Sequence, residues 1–494
     1  MGASQSTEPA VSAEQREAES VAASTGTLPL LHKAFSNLSN PQTNAVPFEN
    51  LPQCFGFARE DRTYSGNSVP ASFPVLLDHL GSSIVDQFFV PGKGGIDWLQ
   101  FVNGFNKCCA RVSASVSLNM LFRVFAAMAL KANVPLHLVF ESEDDECKIN
   151  GHLLPSDVLL LLYVCWVMSW DCRNLGNSER KGNVRLPDLS HLVLSAITSC
   201  SKVEGGFNVW DCDVSSLGVE LPAGKFVTWV MSTVPCLPDC LRQYFHARIQ
   251  MAGDQLEYLN SSTGEGMDKN LLYRSSTHGR GLNRFWSHVE GYKGPLLILI
   301  AASSGNAREG SSTDRKWVIG ALTSQGLENK DTFYGASGCL YSISPVFHAF
   351  PPSGKEKNFV YSHLHPTGRV YQAHPKPVGV AFGGTPGNER IFIEEDFSKV
   401  TIRHHAIDKT YRSGSLFPDQ GFLAVEAVIS EVEVWGLGGE VAKKVQSSYK
   451  RREELFNEQR RKVDLKTFAN WEDSPEKMMM DMMSNPNAVQ REDR

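Results

Sequence analysis

Gly421-Phe422-Leu423-Ala424-Val425-Glu426-Ala427-Val428-Ile429-Ser430-Glu431-Val432-Glu433-Val434-Trp435-Gly436 closes a run of strand-like segments, and a basic amphipathic stretch follows it directly. From Ser430 to Val434, Glu431 and Glu433 alternate with Val432 and Val434, the period-two pattern of a strand with one wet face and one buried face. The apolar phase shifts near Val428 and Ile429, which predicts a bulge or strong twist there.

Working back from this strand, the chain offers Leu271-Leu272-Tyr273-Arg274-Ser275-Ser276-Thr277-His278-Gly279 and then Gly291-Tyr292-Lys293-Gly294-Pro295-Leu296-Leu297-Ile298-Leu299-Ile300. Between them and Glu433-Val434-Trp435 come Ile319-Gly320-Ala321-Leu322, Phe333-Tyr334-Gly335, Cys339-Leu340-Tyr341-Ser342-Ile343, Phe359-Val360-Tyr361, Phe382-Gly383-Gly384 and Ile391-Phe392-Ile393-Glu394-Glu395-Asp396-Phe397. In this order the pieces resemble a TLDc domain, the module of the oxidation-resistance proteins. The resemblance rests on Gly320, Gly335, Gly383, Gly384, Glu395, Asp396 and Trp435, and departs from the family pattern at Ile319, Leu322 and the stretch His404 to Tyr411. It implies an α+β chain: a helical, EF-hand-like N-terminal domain, a TLDc β-sandwich of two antiparallel sheets with flanking helices, and a C-terminal amphipathic helix. The expected boundaries are a tether at 1–30, a helical domain at 31–222, the TLDc domain at 223–438, a helix at 439–465 and a disordered tail at 466–494.

Composition agrees with a folded chain of two or three domains: 494 residues, 42% hydrophobic and 21% charged. A net charge of -6 argues against general nucleic-acid binding, which calls for a basic stripe. The eleven cysteines form no CxxC pair and no zinc-ligand spacing, as expected of a reducing compartment. The longest apolar runs, Val158 to Trp170 and Pro295 to Ala302, fall short of the ~18 residues of a membrane span, so none is expected. Residues 1 to 28 show no basic start followed by an apolar core, so no secretory signal is expected either.

Met1-Gly2-Ala3-Ser4-Gln5-Ser6 fits the N-myristoylation pattern, with Gly2 as acceptor. One acyl chain binds membranes only marginally, and neither a cysteine nor a basic cluster lies nearby, so a second anchor must come from elsewhere. The alternative is an unmodified start.

Between tether and sheet, Leu118, Leu121, Phe122, Phe125, Met128, Ala129 and Ala132 recur at helical spacing. Further helices are expected at 73–90, 155–171, 188–201 and 225–247, with a hinge between Pro222 and Pro235. Relatives with a myristoylated start often carry EF-hand-like helices, which raises calcium as a ligand. The acidic candidates are Glu143-Asp144-Asp145-Glu146 and Asp211 to Ser215, yet counting twelve positions from Asp144 or Asp211 ends on Pro155 or Pro222, where calcium needs a bidentate Glu. No metal site is assigned.

For catalysis the best constellation is Glu394-Glu395-Asp396 with His363, His365, His374, His404 and His405. The plainer reading is a solvated turn ending a strand, and the family supplies no catalytic residue to carry over. Thiol-based defence would need exposed cysteines of lowered pKa, whereas Cys339 and the Cys108-Cys109 pair read as small core residues. Gly383 to Gly387 lacks the lysine of a phosphate loop, so no cofactor is expected.

From Glu440 to Val463, Val441, Val445, Tyr449, Phe456 and Val463 form a narrow stripe on a helix of net charge +4. Such a helix can dock on its own domain or on a partner. The resemblance implies that it clasps the V1 part of the V-type proton-pumping ATPase, with Val441, Val445, Tyr449, Arg452 and Phe456 as the contact residues. The expected function is therefore a non-catalytic adaptor, cytoplasmic and peripheral on lysosomal or vacuolar membranes, with links to oxidative-stress resistance and target-of-rapamycin kinase complexes. A redox-active or hydrolytic enzyme and a calcium-responsive membrane scaffold are the alternatives.

Overall fold

The apolar periodicities resolve into helices before residue 254 and strands after residue 270 in the computed structural model. It describes residues 12–57, 64–66, 69–90, 92, 95–142, 147–173, 184–201, 208–210, 212–253, 271–304, 315–364, 376–469, 477 and 479. These fall into two compact units: one runs to residue 253 and adds 342–349 and 416–418, and the other holds the remainder. Gly2, the acidic stretch 143–146, Asp211, His365 and His374 lie outside the described residues.

The first unit contains α1 (Ala13–Ser24), α2 (Leu28–Leu38), α3 (Asn50–Phe55), α4 (Phe73–Asp78), α5 (Leu80–Phe88) and α6 (Trp98–Cys109). After these come α7 (Ala114–Lys131), α8 (Pro155–Arg173), α9 (Ser190–Cys200), α10 (Ala223–Thr233) and α11 (Asp239–Gly253). Short strands β1 (Tyr64–Ser65), β2 (Leu138–Phe140), β3 (Ile149–Leu153), β4 (Val184–Arg185) and β5 (Leu221–Pro222) tie the loops. Helix starts follow side-chain caps: Ser12 accepts from Gln15 N, Ser113 from Val116 N, and Asp97 and Gln100 form a reciprocal capping box.

The expected stripe on α7 is the buried one, with Leu118, Leu121, Phe122, Phe125, Met128 and Ala129 in the core. By length and composition α7 could cross a membrane, a test that a mostly buried core helix also passes. Ser115, Ser117, Asn119 and Arg123 break its apolar run, which is why a search for uninterrupted runs passes over it. α8 is apolar on every side and Val158 to Cys165 are all buried, as for a helix enclosed by its neighbours. α10 and α11, read from sequence as the head of the sheet domain, instead pack in the helical unit. Phe245 of α11 meets Phe55, Phe88 and Phe105, and α11 lies against α2 and α8.

After residue 270 the chain forms an antiparallel sheet of β6 (Leu271–Arg274), β7 (Leu296–Ser304), β8 (Arg315–Thr323), β9 (Lys330–Tyr334), β10 (Gly338–Ser344) and β11 (His348–Phe350). It continues with β12 (Val360–His363), β13 (Gly379–Thr385), β14 (Asn388–Glu394), β15 (Lys399–Ile402) and β16 (Val425–Gly436). Helices α12 (Ser275–His278), α13 (Leu282–Val289) and α14 (Gly439–Ala469) accompany it. The strand order is β11-β10-β8-β7-β16-β15-β14-β13-β12-β9, with β6 also on β16.

The two expected sheets are thus the two halves of one hydrogen-bonded path, and β16 joins them. Its first residues pair with β15 (Val425 opposite Ile402), and its later residues pair with β7 (Val434 opposite Ile298). Twelve residues make it long enough to serve both. The predicted irregularity falls between Ile429 and Glu431, which face consecutive residues Ala302 and Ala301 and leave Ser430 as the extra residue of a bulge. Val432 and Val434 are fully buried. The face expected to be wet is partly covered: Glu433 pairs with Arg274 at 2.9 Å, and Glu431 accepts from Ser275 Oγ and from Ser276 N. β6 and α12 lie along that side of the strand and supply these donors.

Candidate functional site

The acidic turn that heads the catalytic reading is a structural corner. Phe397 takes a left-handed conformation (φ 57°), is fully buried, and packs against Tyr273 and Phe285. Glu395 O accepts from Leu282 N at 2.7 Å, and Asp396 Oδ1 accepts from Ser398 N at 2.9 Å. These bonds from Ser398 hold the Asp396 carboxyl below its ordinary range. Arg280, Arg284, Glu394, Glu395 and Asp396 line an open recess of about 640 Å³. Among the described imidazoles, His404 stacks on Phe422, lies tilted against His405 and accepts from Ala406 N through Nδ1, while His363 lies on β12. The described carboxylates and histidines of this constellation therefore serve separate local structures.

The glycine signature has steric causes. At Gly383 (φ 67°) a Cβ would lie 2.7 Å from the Asp408 carboxylate, and at Gly384 (φ 79°) 2.2 Å from Asn388 O. This close approach lets Asp408 Oδ1 accept from Gly384 N and Thr410 N, while its Oδ2 takes Arg390 Nη1 at 3.1 Å. Arg390 is fully buried and also donates to Arg412 O and Gly414 O. Burial lowers its pKa against the opposing pull of Asp408. The stretch 404–411, where the sequence departs from the family pattern, supplies Asp408, Thr410 and Tyr411 to the core. The signal available in sequence was the Gly-Gly pair, whose need for a nearby anchor only the fold identifies. Gly320 sits opposite Leu299 in the β7–β8 pairing, Gly335 turns at φ 111° against Phe359, and Trp435 donates through Nε1 to Glu433.

α14 carries the most distinctive surface. Its first turns are seated by Ala442, Gln446, Tyr449 and Lys450, a stripe at spacings of four, three and one. Gln446 Nε2 donates to His288 O at 2.8 Å and Glu290 O at 3.2 Å, and Lys450 Nζ donates to His288 O at 3.3 Å. These are carbonyls at the C-terminal end of α13, which helix geometry leaves without intrahelical partners and which favour a nearby cation. Tyr449 donates to Glu290 Oε1 at 2.9 Å, and partial burial together with that bond pushes its phenol up to about 12. Its ring lies over Gly291, where a Cβ would come within 2.4 Å of the ring. Ala442 fits against Gly294 and Gly438 in the same way.

Of the five residues expected to bind a partner, Tyr449 is thus turned onto its own domain. Val441, Val445 and Phe456 stay exposed at 76%, 42% and 64%, Leu455 joins them at 51%, and Arg452 donates to Ser448 O within the helix. Ala442, Gln446 and the receiving glycines were missed because a glycine cradle rimmed with carbonyls selects a small side chain and an amide. The apolar spacing in the sequence runs instead through the larger residues Val441, Val445 and Phe456. From Arg451 to Lys462 every residue is exposed.

The cysteines differ in setting. Burial pushes Cys54, Cys172 and Cys200 up to about 11 and also raises Cys339. Cys240 is held down by its contact with the buried thiol of Cys165.

Residues 250–438 match the family model of the TLDc domain. Over 186 residues the chain is 25% identical to human (Homo sapiens) oxidation resistance protein 1, covering 37% of this chain and 18% of that protein. Over 252 residues it is 23% identical to the rat (Rattus norvegicus) protein of the same name, covering 47% of this chain and 26% of the relative. The aligned part is thus about a quarter or less of either relative's own length. The order of strands around β16, the glycine corners and these matches together make residues 250–438 a TLDc domain, similar to that of the oxidation-resistance proteins.

Proposed function

We propose that the chain is a non-catalytic adaptor that contributes to oxidative-stress resistance by binding the V1 part of the V-type ATPase through its TLDc domain and α14. The observation that carries this reading is the division of labour along α14: Gln446 and Tyr449 anchor it, and the turns from Arg451 to Lys462 stand free with Leu455 and Phe456 among basic residues. An anchored helix with an uncovered amphipathic extension presents a preorganised element for a groove, which lowers the ordering cost of association. In this reading a myristoyl group on Gly2 holds the adaptor at a lysosomal or vacuolar membrane, where target-of-rapamycin kinase complexes also come within reach.

The test is a pull-down of isolated V1 by the full-length chain and by a 1–439 truncation, with ATP hydrolysis measured alongside. The adaptor reading expects binding that needs α14 and changes the hydrolysis rate. Equal binding by both forms removes the helix from the interface, and binding by neither defeats the proposal.

A further inference from the structure

Two helix–loop–helix units early in the chain meet through their loops. α2 ends at Leu38 and the next twelve residues, 39–50, reach the first residue of α3; α5 ends at Phe88 and the next twelve, 89–100, of which 91, 93 and 94 lie outside the described residues, reach the first turn of α6. The loops meet through Val46 and Ile96, where Val46 N donates to Ile96 O and Ile96 N to Val46 O, both at 2.9 Å. Val46 and Ile96 are fully buried and each is the eighth residue of its loop. The sixth residue of the first loop, Asn44, has φ 47°, at the point where a calcium loop makes its sharp turn with glycine. From this register we infer that α2–α3 and α5–α6 form an EF-hand pair that has exchanged its cation for backbone hydrogen bonds, so that the helical unit is a calcium-insensitive scaffold.

The ligand positions do not fit calcium. Positions one, three, five and twelve carry Ser39, Pro41, Thr43 and Asn50 in the first loop, and Phe89, Pro91, Lys93 and Gln100 in the second. Calcium takes carboxylates at several of these positions and a bidentate Glu at the twelfth, and none of the eight is a carboxylate. The first loop closes on itself instead. Asn40 O accepts from Thr43 N at 3.2 Å and Asn44 N at 2.9 Å, Asn40 N donates to Ala45 O, and Asn40 Oδ1 accepts from Gln42 N. In the second loop, Gln100 at the twelfth position turns its Oε1 back to Asp97 N at 3.0 Å and completes the cap of α6. Gly95 (φ 115°) lies where a Cβ would come within 2.6 Å of Val46 O, which keeps the two loops in contact. The acidic stretches singled out from sequence fall outside both loops.

The test uses the full-length chain. Calorimetric titration with calcium to about 1 mM, which spans the affinities of EF-hand sensors and buffers, is expected to give no binding heat. Exchange protection of the peptides holding Val46 and Ile96 is expected to be the same in calcium and in chelator. Binding heat, or protection of those peptides that changes with calcium, overturns the inference. A grafted first loop, Ser39→Asp, Pro41→Asp, Thr43→Asn, Asn44→Gly and Asn50→Glu, tests the register itself. It is expected to bind calcium and to raise the thermal midpoint in a calcium-dependent way. A grafted chain that keeps its helical circular dichroism and stays silent in calcium rejects the register, and the wild-type measurements hold their force if the graft does not fold.

Discussion

The phenolic oxygen of Tyr449 lies 2.9 Å from Oε1 of Glu290, and its ring covers the bare Cα of the next residue, Gly291. The first relation is a hydrogen bond to a carboxylate, and the second is space that a side chain at 291 would fill. Tyr449→Phe is expected to weaken seating of α14 by about 1 kcal/mol, the usual net value of one such bond. Gly291→Val should release the helix more fully, since it adds a clash and a β-branched residue at φ 78°. Trypsin reads this directly. Sites from Arg451 to Lys462 should be cut in the wild type, and those at Lys443 and Lys450 should open in Gly291→Val. Unchanged protection of Lys450 would contradict the seating.

The Arg390–Asp408 pair is the most deeply buried ion pair of the TLDc domain among the described residues, with side chains 1% and 0% exposed. Removing one partner strands the other charge, so Asp408→Ala should destabilise the domain by about 3–5 kcal/mol in urea unfolding. Asp408→Asn, which keeps the acceptor for Gly384 N, should cost less. Equal losses would show that the retained acceptor contributes nothing and that the lost charge accounts for the whole effect.

Glu431 links β16 to α12 and titrates below its ordinary range: burial raises it, and the bonds from Ser275 and Ser276 more than offset this. A carboxyl depressed in the folded state stabilises the fold above its unfolded value of 4.5, and that contribution is lost as pH falls through the lower folded value. Glu431→Gln should therefore flatten the acid limb of the stability curve below about pH 4.5. An acid limb identical to wild type in thermal melts would remove Glu431 from the linkage.

Thiol chemistry gives a separate check on the redox alternative. With Cys54, Cys172 and Cys200 pushed up to about 11 from an ordinary 9, their thiolate fraction near neutral pH is about a hundredfold below that of an open thiol. Mass-resolved alkylation should find these three slow in the native chain and accelerated by at least that factor in urea, with exposed Cys236 leading. Rapid native labelling of Cys200 would bring direct redox chemistry forward.

The sequence by itself determined the α+β division, the alternation of Val432 and Val434, the bulge beside Ile429, the α7 stripe and the order of the TLDc pieces. Each of these is written in a local period or a short ordered motif, which neighbouring residues alone can express. Only the tertiary structure decided that β16 joins both halves of the sheet, that α10 and α11 belong with the helical unit, and that Asp408 rather than the acidic turn is the partner of the glycine corner. Tertiary structure alone also decided which side of α14 is seated. Its hydropathy favours the valines, but the receiving surface offers glycine hollows and unpaired carbonyls, so an amide, a phenol and an alanine go in while Val441 and Val445 stay out. Complementarity of this kind depends on residues about 150 positions apart, such as Glu290 and Tyr449, and no local pattern encodes it.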